Sequence, residues 1–390
     1  MGGMRTVFTA ERLWDGSKVI DRPVVVVEDG RIASVAGAGE AEIPAGERID
    51  FAGLTLAAAY FDVHIHGSAG HDVMEATPEA LDVIGGFLAA RGVGAYLATT
   101  VTAPIDTTLR SLDGLAKLIG RGTESDATTW PIGIHLEGPF LSHAKRGVHP
   151  PDLLLGPSIE IFDRMFEAAE GHVRLMTLAP ELPGAVELAA HAVKRGVRVS
   201  VGHSNATTAE TKAVLDVGAT SATHTFNAMR ALDHREPGIL GVVLTRDDLF
   251  AELICDGIHT APELVRLWWK AKGPERGILI TDGMAAAGMP DGEYTLGGFP
   301  VQVANGRAMA GGALAGSVLT LERALENFVE FTGASVENGL RLLGANPAEM
   351  AGYSDRAGSV AVGQVANLVA VDSAGRLVRS VHAGVVVDRG

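Results

Sequence analysis

The fold is indicated most clearly by the stretch LAAAYFDVHIH at residues 56–66, an apolar run that ends in two histidines. Alternate residues of a β-strand point to one face, so this pattern predicts a buried strand with His64 and His66 on the same side. Seven more apolar runs follow along the chain. The eight predicted strands are residues 56–66, 95–101, 131–137, 173–179, 198–203, 220–225, 249–256 and 277–282.

Most of these strands are separated by segments with helical periodicity. Eight alternating strand and helix units predict an α/β fold in which parallel strands close into a (β/α)8 TIM-like barrel. The alternative is a doubly wound open sheet, but the glycine-rich turn expected after its first strand is missing. The predicted helices are residues 77–91, 106–119, 158–169, 184–195, 207–217 and 260–271.

Short β-branched runs at both ends of the sequence predict a second, smaller domain. Asp29-Gly30 lies between two such runs and is typical of a hairpin turn. Neither end is large enough to hold a core alone, so we expect residues 1–55 and 354–390 to combine into one β-sandwich beside a barrel of residues 56–353. The glycine-rich stretch 292–316 predicts a hairpin-like insertion, which we expect to join or abut the sandwich.

Composition narrows the classes of function. The 390 residues include 32 Lys and Arg against 47 Asp and Glu, a net charge of −15, which argues against binding to nucleic acid or to an anionic membrane. The lone cysteine, Cys255, excludes an internal disulfide framework and a Cys-rich zinc module. No apolar run approaches a membrane span, and the first residues lack a secretory apolar segment, so we expect a cytoplasmic protein.

Histidine and acidic residues cluster at the ends of the predicted strands, where barrel enzymes carry their chemistry. Imidazole nitrogens and carboxylates are the usual ligands of zinc and related divalent ions, so the pattern predicts a metal site. No lysine lies in predicted strand 173–179, which leaves Glu137 as the candidate anionic ligand; His135, of the same parity, is predicted to be a hydrogen-bonding partner. The strand-end motifs are DVHIHG (62–67), HLEGP (135–139), VGHSN (201–205), THTFNAM (223–229), CDGIHT (255–260) and TDGM (281–284).

In order and spacing these motifs resemble those of the N-acetylglucosamine-6-phosphate deacetylases of the amidohydrolase superfamily. The resemblance extends over the longer forms HLEGPFLSHAKRGVHPP, THTFNAMRALDHREPG and TDGMAAAGMPDG. Within them, HLEGPF, FNAM…REPG and TD-x-MAAAG are specific to that branch, whereas HxH is shared across the superfamily. With the late GGALAGSVLTL, the resemblance covers nearly the whole chain. It implies a barrel with a small sandwich built from both termini, usually as a homodimer.

The resemblance also implies a role for each matching residue. Two groups match metal ligands, so one or two divalent ions are expected, with zinc first and iron, manganese or cobalt as alternatives. Arg235 is expected to reach the active site of the neighbouring subunit, although its loop position equally suits a surface residue. The matches are Glu137, His203 and His224 (primary metal), His64 and His66 (second metal), Asp282 (catalytic acid and base), His149 (catalytic and substrate contact near the amide), and Asn227, Ala228, Arg235 and His259 (phosphate site).

The expected reaction is hydrolysis of N-acetyl-D-glucosamine 6-phosphate to glucosamine 6-phosphate and acetate. A divalent ion makes water nucleophilic at neutral pH, and Asp282 is expected to take the proton of that water and pass it to the leaving amine. One alternative is another amide hydrolase or deaminase of the superfamily, such as a dihydroorotase-like enzyme, against which the missing lysine counts. A second is a non-catalytic sugar-phosphate sensor.

Overall fold

Five strands precede the barrel in a computed structural model that describes residues 5–37, 39, 44–122 and 128–387. The predicted domain ends at 1–4 and 388–390 lie outside the described residues. Asp29 and Gly30 form the predicted hairpin turn, and both have the positive φ (49° and 75°) that a two-residue turn requires. The five strands are β1 (Arg5–Trp14), β2 (Val19–Asp21), β3 (Val24–Glu28), β4 (Arg31–Ala36) and β5 (Glu47–Ala58).

Eight parallel strands, β6 and β9 to β15, then form the predicted barrel, and they pair in chain order. A β-bridge between Ile65 and Gly283 joins the first strand to the segment after the last and closes the barrel. The elements are β6 (Tyr60–Ile65), the short hairpin β7 (Gly67–Ser68) and β8 (His71–Asp72), α1 (Pro78–Ala90), β9 (Val93–Thr100), α2 (Ile105–Arg121), β10 (Pro131–Glu137), α3 (Ile159–Ala168), β11 (Val173–Leu178), α4 (Ala185–Lys194), β12 (Arg198–Val201), α5 (Thr208–Asp216), β13 (Ser221–Ala222), α6 (Gly238–Thr245), β14 (Phe250–Ile254), α7 (Pro262–Arg276) and β15 (Gly277–Ile280).

The predicted strand 56–66 is in fact two strands in two sheets. β5 ends at Ala58, and the chain passes into the barrel at Ala59, whose N–H donates to Asn367 O at 2.9 Å. The next residue, Tyr60, donates instead to Gly92 O in the barrel at 2.8 Å. The apolar run therefore continues across the boundary between the two domains, because its residues are buried in both sheets.

The barrel strands have an apolar outer face and a polar inner face. On β6, Phe61, Val63 and Ile65 belong to the apolar core between the sheet and the helices, whereas Asp62 and His64 alternate with them and are buried inside. Hydrogen bonds link the inner side chains of neighbouring strands. They run from His135 Nε2 to Thr177 Oγ1 (2.9 Å), between Thr177 and Thr223 Oγ1 (2.8 Å), and from Thr223 to Ser200 Oγ (2.7 Å).

The insertion forms a separate antiparallel sheet, and the expectation that it would join or abut the terminal domain is wrong. Its strands pair only with one another in the described chain. Leu296 and Val301 pack in one apolar cluster with Val101 and Met284, so the sheet covers the mouth of the barrel. Its strands are β16 (Gly292–Leu296), β17 (Phe299–Ala304), β18 (Arg307–Ala310) and β19 (Ala313–Leu314).

The chain returns to the first sheet after three helices that the sequence did not predict. Strand β5 is central, because it pairs in parallel with β1 on one side and antiparallel with the first returning strand on the other. Both ends of the chain thus build the smaller domain, as expected. In the described residues, no helix is both long and apolar enough to cross a membrane. The last elements are α8 (Leu321–Thr332), α9 (Val336–Leu343), α10 (Ala345–Ala351), β20 (Leu368–Val371), β21 (Leu377–His382) and β22 (Val385–Val387).

Candidate active site

The predicted ligands meet at the carboxyl end of the barrel. Glu137 is the last residue of β10, while His203, His224 and Asp282 each follow their strands by two residues. All three of these have left-handed backbone, with φ of 45°, 26° and 51°. Such angles are costly for residues other than glycine and cluster at functional sites, because the surrounding structure must hold them.

Glu137 lies at the centre of these side chains. Its Oε1 is 3.1 Å from His203 Nε2 and 3.0 Å from His224 Nε2, and the two imidazole nitrogens are themselves 3.0 Å apart. Ligand atoms of these three residues all lie within 4.8 Å of one another. The geometry therefore brings together the residues that the sequence assigns to the primary metal.

A second group shares the same carboxylate. His66 Nε2 is 3.1 Å from Asp282 Oδ1 and 3.2 Å from Glu137 Oε2, and His64 Nε2 is 3.6 Å from Asp282 Oδ1. His64, His66 and Asp282 also have ligand atoms within 4.8 Å of one another. Asp282, predicted as the catalytic acid and base, is thus placed where it could also contact a cation.

The opposite ring nitrogens determine how these histidines are protonated. His66 Nδ1 lies 3.0 Å from Thr99 O and His203 Nδ1 lies 2.9 Å from Lys145 O, and a carbonyl can only accept. Each Nδ1 therefore carries a proton, so that in the neutral ring Nε2 is the atom that offers a lone pair to the centre of the site. His64 Nδ1 faces Glu252 Oε2 at 3.2 Å in the same way.

This donor set fits a divalent cation. Imidazole nitrogens and carboxylate oxygens crowd together at the centre of the site, an arrangement that requires positive charge among them, from protons or from a bound cation. His64 Nε2 is fully buried and makes no hydrogen bond of acceptable geometry in the described structure. Imidazole and carboxylate together suit zinc, and also iron, manganese or cobalt.

The electrostatics of the site point the same way. Burial alone would raise the pKa of the Glu137 carboxyl, but the imidazoles, His64 foremost, hold that pKa well below its usual range. Burial lowers the pKa of His66, but Asp282 and Glu137 outweigh it and raise that pKa to about 9. The two carboxylates thus create a strongly negative potential, which favours a bound cation.

The expected substrate residues surround a cavity beside this centre. His149, Asn227, Ala228 and His259 all line it, and the imidazole of His259 is oriented by Asp256 Oδ2 at 2.6 Å from Nδ1. The inserted sheet supplies an apolar wall to the same cavity through Leu296 and Leu314, which the sequence did not predict.

Arg235 is the exception among the predicted residues. It lies on an exposed loop and does not line the cavity. Among the described residues that do, none is a lysine or an arginine. The single chain therefore brings together every predicted site residue except the one expected to serve a neighbouring subunit.

Two buried residues that orient the histidines were missed from the sequence. Glu252, fully buried in the middle of β14, contacts His64 and also accepts the His224 backbone N–H at 3.3 Å. An acid within the otherwise apolar run FAELI was the available signal. The other is Thr102, which contacts His149 from the loop after β9.

His135 behaves as a hydrogen-bonding partner, as expected. Its Nε2 lies 2.9 Å from Thr177 Oγ1, and its ring stands edge-on to His64, with ring centres 4.7 Å apart. Burial lowers the pKa of His135 well below its usual value, so the ring is neutral at physiological pH. It contributes to packing beneath the two groups of ligands.

Comparison with known proteins agrees with the geometry. The profile of the Amidohydrolase family matches residues 55–387. The chain is 39% identical over 371 residues to N-acetylgalactosamine-6-phosphate deacetylase from Escherichia coli O157:H7, covering 95% of this chain and 96% of the relative. It is 36% identical over 358 residues to N-acetylglucosamine-6-phosphate deacetylase from Bacillus subtilis, covering 92% and 90% of the two chains.

A solved structure shares the whole architecture. It is a mutant of N-acetyl-D-glucosamine-6-phosphate deacetylase from Mycobacterium smegmatis in complex with N-acetyl-D-glucosamine-6-phosphate. The TM-score is 0.92 with 34% sequence identity, and the match covers 99% of this chain and 100% of that one. Both domains and the inserted sheet therefore fall within the matched region.

Proposed function

Because the chain belongs to the amidohydrolase family, in the branch of the N-acetylglucosamine-6-phosphate deacetylases, we propose that it hydrolyses N-acetyl-D-glucosamine 6-phosphate to D-glucosamine 6-phosphate and acetate. The observation that carries the proposal is the convergence of Glu137, His203 and His224 beside Asp282 at one end of the barrel. This arrangement suits metal-dependent hydrolysis of an amide.

The residues that would hold a divalent ion form two groups around one carboxylate. Glu137, His203 and His224 would hold the first ion, and His64 and His66 would hold a second. When bound, such an ion supplies Lewis acidity, which polarises a carbonyl group and makes water a nucleophile at neutral pH. We propose zinc, in one or two copies per chain.

Protein groups perform the proton transfers. Asp282 is anchored by its backbone N–H, which donates to His64 O at 2.9 Å, and its carboxylate faces the cavity. From there it accepts a proton from the attacking water and returns it to the nitrogen of the leaving amine, which is too basic to depart as an anion. His149, on the same cavity, contacts the carbonyl oxygen of the acyl group.

The phosphate end of the substrate requires local recognition, because a net charge of −15 repels a dianion at long range. Asn227, Ala228 and His259 are the cavity residues proposed for this contact. We propose that the missing cation is Arg235 of a second copy, in a homodimer. A guanidinium suits phosphate because it donates paired hydrogen bonds.

The loop that carries Arg235 is rigidly built. Asp233 Oδ1 accepts the backbone N–H groups of Arg235 and Glu236 at 2.9 and 3.2 Å. Glu236 Oε1 in turn accepts both the N–H and the hydroxyl of Thr208 at 2.8 Å, which fixes the loop to the start of α5. The structure thus orders a loop whose arginine side chain has no hydrogen-bond acceptor in the described part of its own chain.

Mixing two inactive variants tests this use of Arg235. R235A and D282N homodimers should each be nearly inactive, whereas subunit exchange creates hybrids in which one site combines Asp282 of one chain with Arg235 of the other. Equal mixing should restore about a quarter of wild-type activity, since half of the dimers are hybrids with one complete site. The measurement is acetate release before and after exchange. No recovery on mixing, with hybrids present by mass spectrometry, would contradict the proposal.

A substrate panel tests the activity itself. N-acetyl-D-glucosamine 6-phosphate should release acetate, and omission of the phosphate should lower kcat/KM by about 100-fold or more, the worth of charge-assisted hydrogen bonds to a dianion. N-acetyl-D-galactosamine 6-phosphate is the second candidate substrate, because the Escherichia coli relative at 39% identity is named for it. A higher kcat/KM for that epimer would replace the proposed substrate, and equal rates without phosphate would refute phosphosugar specificity.

Two alternatives are set against this proposal. The named relatives are sugar-phosphate deacetylases, which favours that activity over a dihydroorotase-like one. Asp282 placed within the ligand cluster favours an enzyme over a sugar-phosphate sensor. The domain boundaries at residues 55 and 354 and the cytoplasmic location stay predictions.

A further inference from the structure

One histidine of the site is oriented differently from the others. His66 and His203 each present Nδ1 to a carbonyl oxygen, so their protons lie on Nδ1. His149 Nδ1 instead receives a backbone N–H, that of Thr102, at 3.3 Å. An N–H group can only donate, so His149 Nδ1 must carry a lone pair.

A second donor comes from the same residue. Thr102 Oγ1 lies 2.8 Å from His149 Nδ1, and because Nδ1 carries no proton the hydroxyl must be the donor. Two donors on one lone pair exclude both the imidazolium and the Nδ1–H tautomer. The remaining form is neutral with its proton on Nε2. That atom lies 3.5 Å from Glu137 Oε2, on the side of the ring that faces the metal ligands.

Resting on the function proposed above, we propose that Thr102 is a positioning residue, which holds His149 as the neutral Nε2–H tautomer so that it donates a hydrogen bond to the acyl oxygen of the substrate. The same geometry separates His149 from the ligands: they offer a lone pair to the centre of the site, whereas His149 offers a proton. A donor of this kind stabilises negative charge that develops on the acyl oxygen.

The surroundings of Thr102 support a fixed orientation. His149 is 2% exposed, and its ring meets that of His203 edge-on, with centres 4.7 Å apart. Thr102 is 3% exposed, and a Cβ at Gly138 would collide with its hydroxyl oxygen. Gly138 also has φ of 99°, which other residues rarely adopt. The backbone next to Glu137 thus leaves room for this hydroxyl.

Two substitutions distinguish the effect of the Thr102 hydroxyl from the effect of the shape of its side chain. T102V keeps the shape and the backbone N–H but removes the second donor, and we expect kcat to fall about 10- to 100-fold with KM changed less than about threefold. T102S keeps the hydroxyl and should stay within about threefold of wild-type kcat. An unchanged kcat in T102V, or an equal loss in T102S, would overturn the assignment.

The tautomer can also be observed without substrate. In zinc-loaded protein labelled with ¹⁵N-histidine, NMR distinguishes a protonated Nε2 from a protonated Nδ1, and H149Q identifies the signals of His149 by their loss. We expect wild type and T102S to show Nε2–H alone. T102V keeps only the longer backbone contact of 3.3 Å and loses the 2.8 Å hydroxyl contact, so we expect it to hold the Nε2–H tautomer less completely and to show a mixture. A His149 protonated on Nδ1 in the wild type refutes the proposal even if the enzyme is active. If T102V does not fold, the NMR signals of the wild type and of T102S still test the proposal.

Discussion

Replacing Asp282 by asparagine should lower kcat by about 1,000-fold or more while leaving substrate binding within about threefold. Asparagine has nearly the same shape but cannot accept a proton from water or return one to the leaving nitrogen, so both proton transfers lose their carrier. The carboxylate also contributes negative charge next to His66 Nε2, 3.1 Å away. Steady-state acetate release gives kcat, and calorimetric titration of the inactive variant with substrate gives Kd.

The control is D113N, which removes an exposed carboxylate paired with Lys117 and should leave kcat unchanged. Elemental analysis of D282N must accompany the kinetics, because Asp282 shares a group with His64 and His66. We expect metal at the Glu137 group to be retained. D282N with wild-type kcat would remove the acid–base role, and D282N that binds no substrate would place Asp282 in recognition instead.

Replacing Glu137 by glutamine should remove the bound metal and lower activity by about 1,000-fold or more, since the Lewis acid contributes several kcal/mol to the reaction. Among the described residues, Glu137 is the one carboxylate that contacts members of both ligand groups as well as His149. Glutamine offers a single weak oxygen ligand and an amide N–H that repels a cation. Elemental analysis and acetate release measure the two losses.

The matched control is E167Q on α3, remote from the site, and circular dichroism should show the same fold for both variants. Treatment of the wild type with a chelator should reproduce the loss, and added zinc should restore activity in the wild type but not in E137Q. If E137Q retains stoichiometric metal and activity, the centre of the proposed site is wrong.

Sequence pattern predicted the barrel because each strand has one buried apolar face and ends in a polar motif. Residues 131–137 were predicted to the residue, since Pro131 and the motif after Glu137 limit the strand on both sides. The strand predicted at residues 220–225 is shorter in the structure, Ser221–Ala222, because His224 has a left-handed backbone that no strand accommodates. Local propensity cannot show such a bend, which tertiary contacts impose.

The site was predictable where its residues lie at strand ends, and not where a contact depends on packing. Thr102 meets His149 across 47 residues of sequence, and neither belongs to a regular strand or helix. The position of residues 292–316 was predicted wrongly for a related reason. Hairpin patterns specify the pairing within the hairpin, but the surface that it covers depends on apolar residues outside it, and one of these, Val101, is far away in the chain.

The pairing of β5 with β20 also sets an order of events during synthesis. Leu56 pairs with Ala370, so one edge of β5 stays open while the ribosome makes the entire barrel. An unpaired strand edge is a site for aggregation, and domains generally begin to fold from the amino-terminal side. The sheet of the smaller domain can therefore be completed only after the last strands have left the ribosome.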